Sequence, residues 1–239
     1  MGETGASTST SDGTRVSEDN FRRLQLDNPA LAAEGPLWVH ETARPEKGGL
    51  VIATSKTSTI LGDRLEQAVV FLIEHGDQGS IGVILNRPTG MVLGRGKKSN
   101  GMPFELTNAP SSVQQSFADN RLYCGGFTAQ HVIHVVHGHG GLEGAIEIVP
   151  GIFTGGEVAA SAAVADGDHI AEDFRFHAGA VVWDRGELDA QAAQGAWYPA
   201  ACARAVVLKQ CIQLPTPLWR EVLMLMGGEY KDVADEDFY

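Results

Sequence analysis

Four histidines within nine residues, His131, His134, His137 and His139, are the densest set of groups in this sequence that could ligate a metal or move a proton. Neutral imidazole is a common metal ligand and titrates near neutral pH. Val132, Ile133, Val135 and Val136, which separate them, predict a strand. Strand alternation puts His131 and His137 on one face about 20 Å apart, at ~3.3 Å per residue, and turns His134 to the other face. Only His137 and His139 could approach one ion, and no acid or cysteine at ligand spacing completes a set. The reading is no metal site and no cofactor, with these histidines facing solvent or hydrogen-bonded in the strand.

Two further groups of residues could do chemistry. Glu74 and His75 close an apolar run, where a general acid and base could stand. Asn86, Arg87 and Pro88 close the next run, and an arginine beside a proline-fixed turn can offer its planar donor fork to a carboxylate or phosphate. A plainer reading fits the same residues: Asn86 bonds turn amides, and Arg87 pairs with an acid such as Glu74 to lock the sheet corner. Cys124, ahead of Gly125 and Gly126, has no positive neighbour in sequence to lower its pKa. Gly138 to Gly144 fails as a dinucleotide fingerprint, because Glu143 takes the third glycine's place and a strand follows where a helix is needed. Arg95, Lys97 and Lys98 read as a solvated basic loop.

The elements that must position these groups are legible as apolar runs. Gly49–Thr54, Leu65–Glu74 and Ser80–Asn86 predict three strands buried on both faces, the second and third forming a hairpin through the short 75–79 segment. Arg121–Cys124, His131–His137, Ala145–Val149 and Phe174–Trp183 predict further strands, His131–His137 and Ala145–Val149 forming a second hairpin. Ala205–Leu208 reads as a short strand. Helices are predicted over Asn20–Ala33, Glu157–Ala165, Leu188–Gln194, with Asp184 and Glu187 as a capping pair, and Leu218–Met226, with Thr216 as cap and Pro217 in the first turn. Strands outnumber helices and do not alternate with them regularly, which favours an α+β fold with antiparallel pairing.

Length and charge bound the rest. The chain has 239 residues and a formal net charge of −12, which weighs against a nucleic-acid binder. The longest uninterrupted apolar stretch, Ala68–Ile73, is far below the ~20 residues of a spanning helix. Three cysteines without a CxxC spacing argue against a disulfide framework and fit a reducing compartment. Residues 1–16 hold few apolar side chains and are expected to be disordered. Residues 17–230 form one domain, and 231–239 an acidic tail. Glu3, Asp12, Glu18 and Asp19 argue against a transit peptide in this stretch, and Ala6 breaks the myristoylation pattern.

The order Gly49-Leu-Val-Ile-Ala-Thr54, Glu74-His75, Gly82-Val-Ile-Leu-Asn-Arg-Pro-Thr89, Cys124-Gly125-Gly126, then Gly179, Trp183, Glu187-Leu188 and Trp197, resembles the AlgH-type family of unknown function. The resemblance spans Leu37 to Tyr230. Pro45-Glu46, Asp173-Phe-Arg-Phe176 and Leu225-Met-Gly-Gly-Glu-Tyr230 look like its plant and algal branch, which implies a chloroplast address. It also implies a mainly antiparallel, bifurcated sheet curled into a pseudo-barrel with helices outside. Two departures stand out: Phe127 replaces the proline of Gly-Gly-Pro, and Ala180-Val181-Val182-Trp183 replaces Tyr-Ala-Gly-Trp, removing a ring and a glycine beside a groove. The expected function is a non-catalytic protein-interaction or regulatory module of a plastid complex, and not an enzyme. The competing expectation is a ligand-binding or hydrolytic protein using the Asn86-Arg87 corner with Glu74 and His75. Candidate contact residues are Glu74, His75, Asn86, Arg87, Gly125, Gly126 and Trp183; partner and oligomeric state stay open.

Overall fold

The apolar runs become neighbouring strands. A computed structural model describes residues 9–94, 106–212 and 214–236. Its strands are β1 (Val39–Glu41), β2 (Leu50–Ala53), β3 (Val69–Gly76), β4 (Gly79–Ile84), β5 (Pro88–Val92), β6 (Arg121–Cys124), β7 (Thr128–His137), β8 (Ala145–Val149), β9 (Ile152–Gly155), β10 (Arg175–Trp183) and β11 (Trp197–Cys202). Around them lie α1 (Ser9–Asp27), α2 (Pro29–Ala32), α3 (Thr57–Leu61), α4 (Ser111–Ser116), α5 (Glu157–Ala165), α6 (Glu187–Ala193), α7 (Arg204–Leu208), α8 (Leu218–Met226) and α9 (Gly228–Glu236).

The fold is α+β. The sheet runs β1-β11-β2-β3-β4-β10-β7-β9-β8, and among the described residues its two end strands do not pair, so the sheet is open and the expected pseudo-barrel is not closed. It forks at β10. Along one edge, the C-terminal half of β10 pairs antiparallel with β4 (Val181 with Gly82), while its N-terminal half pairs parallel with β6 (Phe176 with Leu122). β7 takes the other edge antiparallel. The fork needs backbones closer than side chains allow. A Cβ on Gly125 would lie 2.3 Å from the Gly179 carbonyl oxygen, and one on Gly126 2.0 Å from the Ala180 carbonyl carbon. Gly179 itself sits at φ +72, at the register shift between Ala178 and Ala180.

β2 explains the buried-run signature. Leu50 and Ile52 enter the apolar layer shared with Trp219, Val222 and Leu223 of α8, while Val51 and Ala53 face Trp183, Leu188 and Trp197. A third layer joins Phe117, Phe174 and Phe176 to Leu122, Ile133 and Val135. The β3–β4 hairpin forms as expected, its Gly76 pairing with Gly79.

Several expectations fail for physical reasons. The predicted β7–β8 hairpin does not exist, because β9 lies between them, pairing with both. The tight turn at Pro150-Gly151 joins β8 to β9, and the 138–144 segment is long enough to carry the chain past. Ala205–Leu208 is helical (α7): four consecutive buried apolar residues carry no period that separates strand from helix. Pro217, and not Thr216, is the N-cap of α8, and no side chain caps it. α1 begins at Ser9, so 9–16 is helical where disorder is expected, while 1–8 lies outside the described residues. The acidic tail is helical to Glu236, with Asp235 held by Arg220 at 2.9 Å and Lys231 at 2.7 Å. Arg95, Lys97 and Lys98 lie outside the described residues. No helix among the described residues is long and apolar enough to cross a membrane.

Candidate functional site

Asn86 and Arg87 leave β4 and turn back on the loop that enters β3. Asn86 Oδ1 accepts the Val69 amide (3.0 Å), and its Nδ2 donates to the Gln67 carbonyl (2.8 Å). Arg87 Nη2 donates to the Glu66 carbonyl at 2.6 Å, and not to Glu74. The corner is a brace made of side-chain to backbone bonds.

Glu74 and His75 stand at the opposite end of the same strand pair: Val70 is opposite Ile84, and His75 is opposite Ser80. At ~3.3 Å per residue, the roughly five intervening residues set the two groups about 17 Å apart, so the expected joint site does not assemble. Glu74 is exposed. His75 Nδ1 lies 2.8 Å from Ser80 Oγ, with Asp189 3.9 Å from Nε2. Ser80 is buried, and this row ties the hairpin to α6.

Gly125 and Gly126 form the fork described above and are filled by backbone, with Gly125 linking β10 and β4 through its N–H and C=O. Trp183 is a core residue. Its indole N–H donates to Gln191 Oε1 (2.9 Å), which also accepts the Trp197 indole (3.0 Å), and the two rings meet edge-on at 6.0 Å. Glu187 fixes Gln191 at 3.0 Å and accepts the Asp184 amide at 2.8 Å, but the expected Asp184 cap does not form, because Gly186 is the N-cap of α6 and no described side chain caps it.

His137 and His139 lie side by side with ring centroids 6.3 Å apart, and His131 stands apart from them. His131 is exposed. His137 is buried; its Nε2 donates to the Gly155 carbonyl (3.0 Å), its Nδ1 accepts the His139 amide (3.2 Å), and burial pushes its pKa down to about 4. His139 bonds Asp173 at 3.0 Å and packs on His169 with tilted rings, their centroids 4.1 Å apart. Burial, and then the neighbouring His169, lowers the pKa of His139. Among the described residues no three His, Cys, Asp or Glu converge as for a metal ion. Cys124 Sγ faces the Gly126 carbonyl at 3.6 Å.

Sequence reasoning missed a large cleft. About 490 Å3 in volume, it opens between the end of α1, the start of β6 and β10, and the segment that follows α7. Arg175, Tyr123 and Phe174 line it deepest, and Asp27, Asp119, Arg121 and Glu172 stand at its rim. Arg175 is 1% exposed. Its Nη1 donates to the Val207 carbonyl, its Nη2 lies 3.4 Å from Cys211 Sγ, and its guanidinium sits 5.3 Å from the Tyr123 ring centre. Its Nε has no hydrogen-bond partner among the described residues. Tyr123 donates to Gln210 Oε1 (3.2 Å), and burial raises its phenol pKa. Alongside, fully buried His177 gives its Nδ1 proton to the Ile84 carbonyl at 3.1 Å, and its Nε2 has no partner among the described residues. Burial, helped by the Arg175 charge, pushes its pKa down to about 3. One signal was available in the sequence: Arg175 and His177 alternate with apolar residues in a strand whose inward positions should all be apolar.

Comparisons place this arrangement among known proteins. The profile of the AlgH-like family matches residues 52–231. A UPF0301 protein of Pelodictyon phaeoclathratiforme is 29% identical over 199 residues, 82% of this chain and 95% of that protein. A UPF0301 protein of Chlamydia muridarum is 26% identical, over 79% of this chain and 90% of its own. The solution structure of the AlgH protein from Pseudomonas aeruginosa superimposes with a TM-score of 0.52 at 21% identity, covering 71% of this chain and 85% of that one. A crystal structure of a protein from Corynebacterium diphtheriae does so with a TM-score of 0.58 at 17% identity, covering 82% and 93%. At these identities the two structures speak for the fold alone.

Proposed function

This chain belongs to the AlgH-like family, and from that premise we propose that it is a non-catalytic regulatory module that binds a small molecule and answers to it through a protein complex. The cleft of about 490 Å3 carries this reading, since concave sites of this size, with an apolar wall and a few buried polar groups, suit small ligands. Its walls support a regulatory role. Asp27 ends α1, and Gln210 and Ile212 belong to the segment joining α7 to α8. An occupant therefore bears on where the helical layer sits against the sheet. The hydrolytic alternative loses its support, because Asn86 and Arg87 are engaged by backbone and Glu74 and His75 are remote from them. A plastid is the address this reading favours, on the residues that resemble the plant and algal branch; the relatives described above are bacterial.

The test is a thermal-shift screen of cellular small molecules, with each stabilising mixture then analysed by mass spectrometry. At least one compound should raise the melting temperature by several degrees and be recovered unchanged. The native complex holding the chain should change size when that compound is added. A screen with no stabilising compound, or a compound recovered chemically altered, overturns the reading.

A further inference from the structure

We infer that the cleft takes a small organic acid whose carboxylate pairs with Arg175 and whose remainder is neutral or cationic. This rests on the cleft being a ligand site, and it names the ligand's chemistry. Arg175 carries a permanent charge at 1% exposure, and no carboxylate among the described residues pairs with it. Its partners are one backbone carbonyl, one thiol and the face of Tyr123. A buried cation is costly unless an anion compensates it, and the guanidinium fork, with Nε still unpartnered, suits the two oxygens of a carboxylate. His177 cannot serve as that anion, since an imidazole side chain is either neutral or cationic.

The rim sets the rest of the molecule. Asp27, Asp119 and Glu172 face the opening against Arg121, and Asp27 is already paired with Arg23 at 2.9 Å. Facing this excess of acid, a second negative group is repelled and an amine is attracted. Tyr123 and Phe174 beside Arg175 at the floor, and Ile212 nearer the rim, supply apolar surface. The fitting occupant is an acid with a compact apolar or aromatic middle.

Four probes of one shape test this: benzoate, 4-(aminomethyl)benzoate, terephthalate and benzylamine, titrated calorimetrically into the full chain at fixed ionic strength. A parallel NMR titration follows the Nε–H resonance of Arg175. Benzoate and 4-(aminomethyl)benzoate should bind and move that resonance, with terephthalate about tenfold weaker and benzylamine silent. Arg175→Met should keep or raise the melting temperature, since an unpaired buried charge is removed, and should lose benzoate binding about tenfold or more. Benzylamine binding as tightly as benzoate, or benzoate binding unchanged in Arg175→Met, overturns the inference while leaving the cleft a ligand site. If the variant does not fold, the wild-type resonance decides, and an Nε–H unmoved by saturating benzoate overturns it. Failure of the broad small-molecule screen overturns the cleft reading itself.

Discussion

Asn86 holds Gln67 in a left-handed backbone conformation. Its Nδ2 donates to the Gln67 carbonyl at 2.8 Å, and Gln67 sits at φ +50. The strain of that conformation, of the order of 1–2 kcal/mol for a residue with a Cβ, is offset by a side chain seventeen or more residues downstream that also satisfies the Val69 amide. Asn86→Ala should therefore cost about 2 kcal/mol, through two lost bonds at a buried strand start. Gln67→Gly should gain up to about 1 kcal/mol. Arg87→Ala should cost about 1 kcal/mol, less than a fully buried charged bond. Urea unfolding of the three variants checks this. An Arg87→Ala chain with unchanged stability that has lost turnover of some metabolite would show that the corner works as chemistry and not as a brace.

The indoles of Trp183 and Trp197 share one acceptor, so Gln191 should be the most sensitive polar residue in that layer. Gln191→Leu leaves two buried N–H groups without a partner, at about 1–3 kcal/mol each. Gln191→Glu retains an acceptor oxygen and should lose less. Equal losses in the two variants, measured by chemical denaturation, would mean that packing and not acceptance is what Gln191 supplies.

His137 and His177 should give the protein an acid-sensitive stability. Their folded pKa values, about 4 and about 3, lie below the ordinary value near 6.5. Between those limits the unfolded chain binds more protons than the folded one, so stability rises with pH there. The contribution is complete above about pH 6.5 and is lost as pH falls, at about 1.4 kcal/mol per pH unit for each group. His137→Gln, which can still donate to Gly155, should flatten the curve of urea midpoint against pH between about 4 and 6.5. Parallel curves for the variant and the wild type would rule out His137 as a source of the effect.

Lys209 and Glu221 form an ion pair with both side chains essentially excluded from water, joining the end of α7 to the first turn of α8. Glu221 Oε1 has no partner among the described residues, so the pair is not fully compensated there. Lys209→Met or Glu221→Leu alone should cost about 3–5 kcal/mol, by stranding a buried charge. The double variant should come back to within a few kcal/mol of the wild type. A double-mutant cycle reads this directly, and additive losses would contradict it.

Much of the fold could be read from the sequence because the signals are local. β2, β3 and β4 announce themselves as continuous apolar runs, the two-residue Asp77-Gln78 turn fixes their hairpin, and α5 and α8 begin and end where their composition changes. The order Asn86-Arg87-Pro88 and the spacing of Gly179, Trp183 and Trp197 carried the family. Which of those residues brace the molecule was not legible. Gly125 and Gly126 read as candidate contact residues until Gly179 and Ala180 are found occupying the space, and Trp183 reads as another until Gln191 takes its N–H. β9 enters between β7 and β8 because strand partners are chosen by burial across the sheet, and turn signals see only adjacent strands. Arg175 belongs to the same class. Its charge is plain in the sequence, but its burial, with no acid paired to it among the described residues, depends on Tyr123, Val207 and Cys211 arriving from distant segments, and only tertiary packing brings them there.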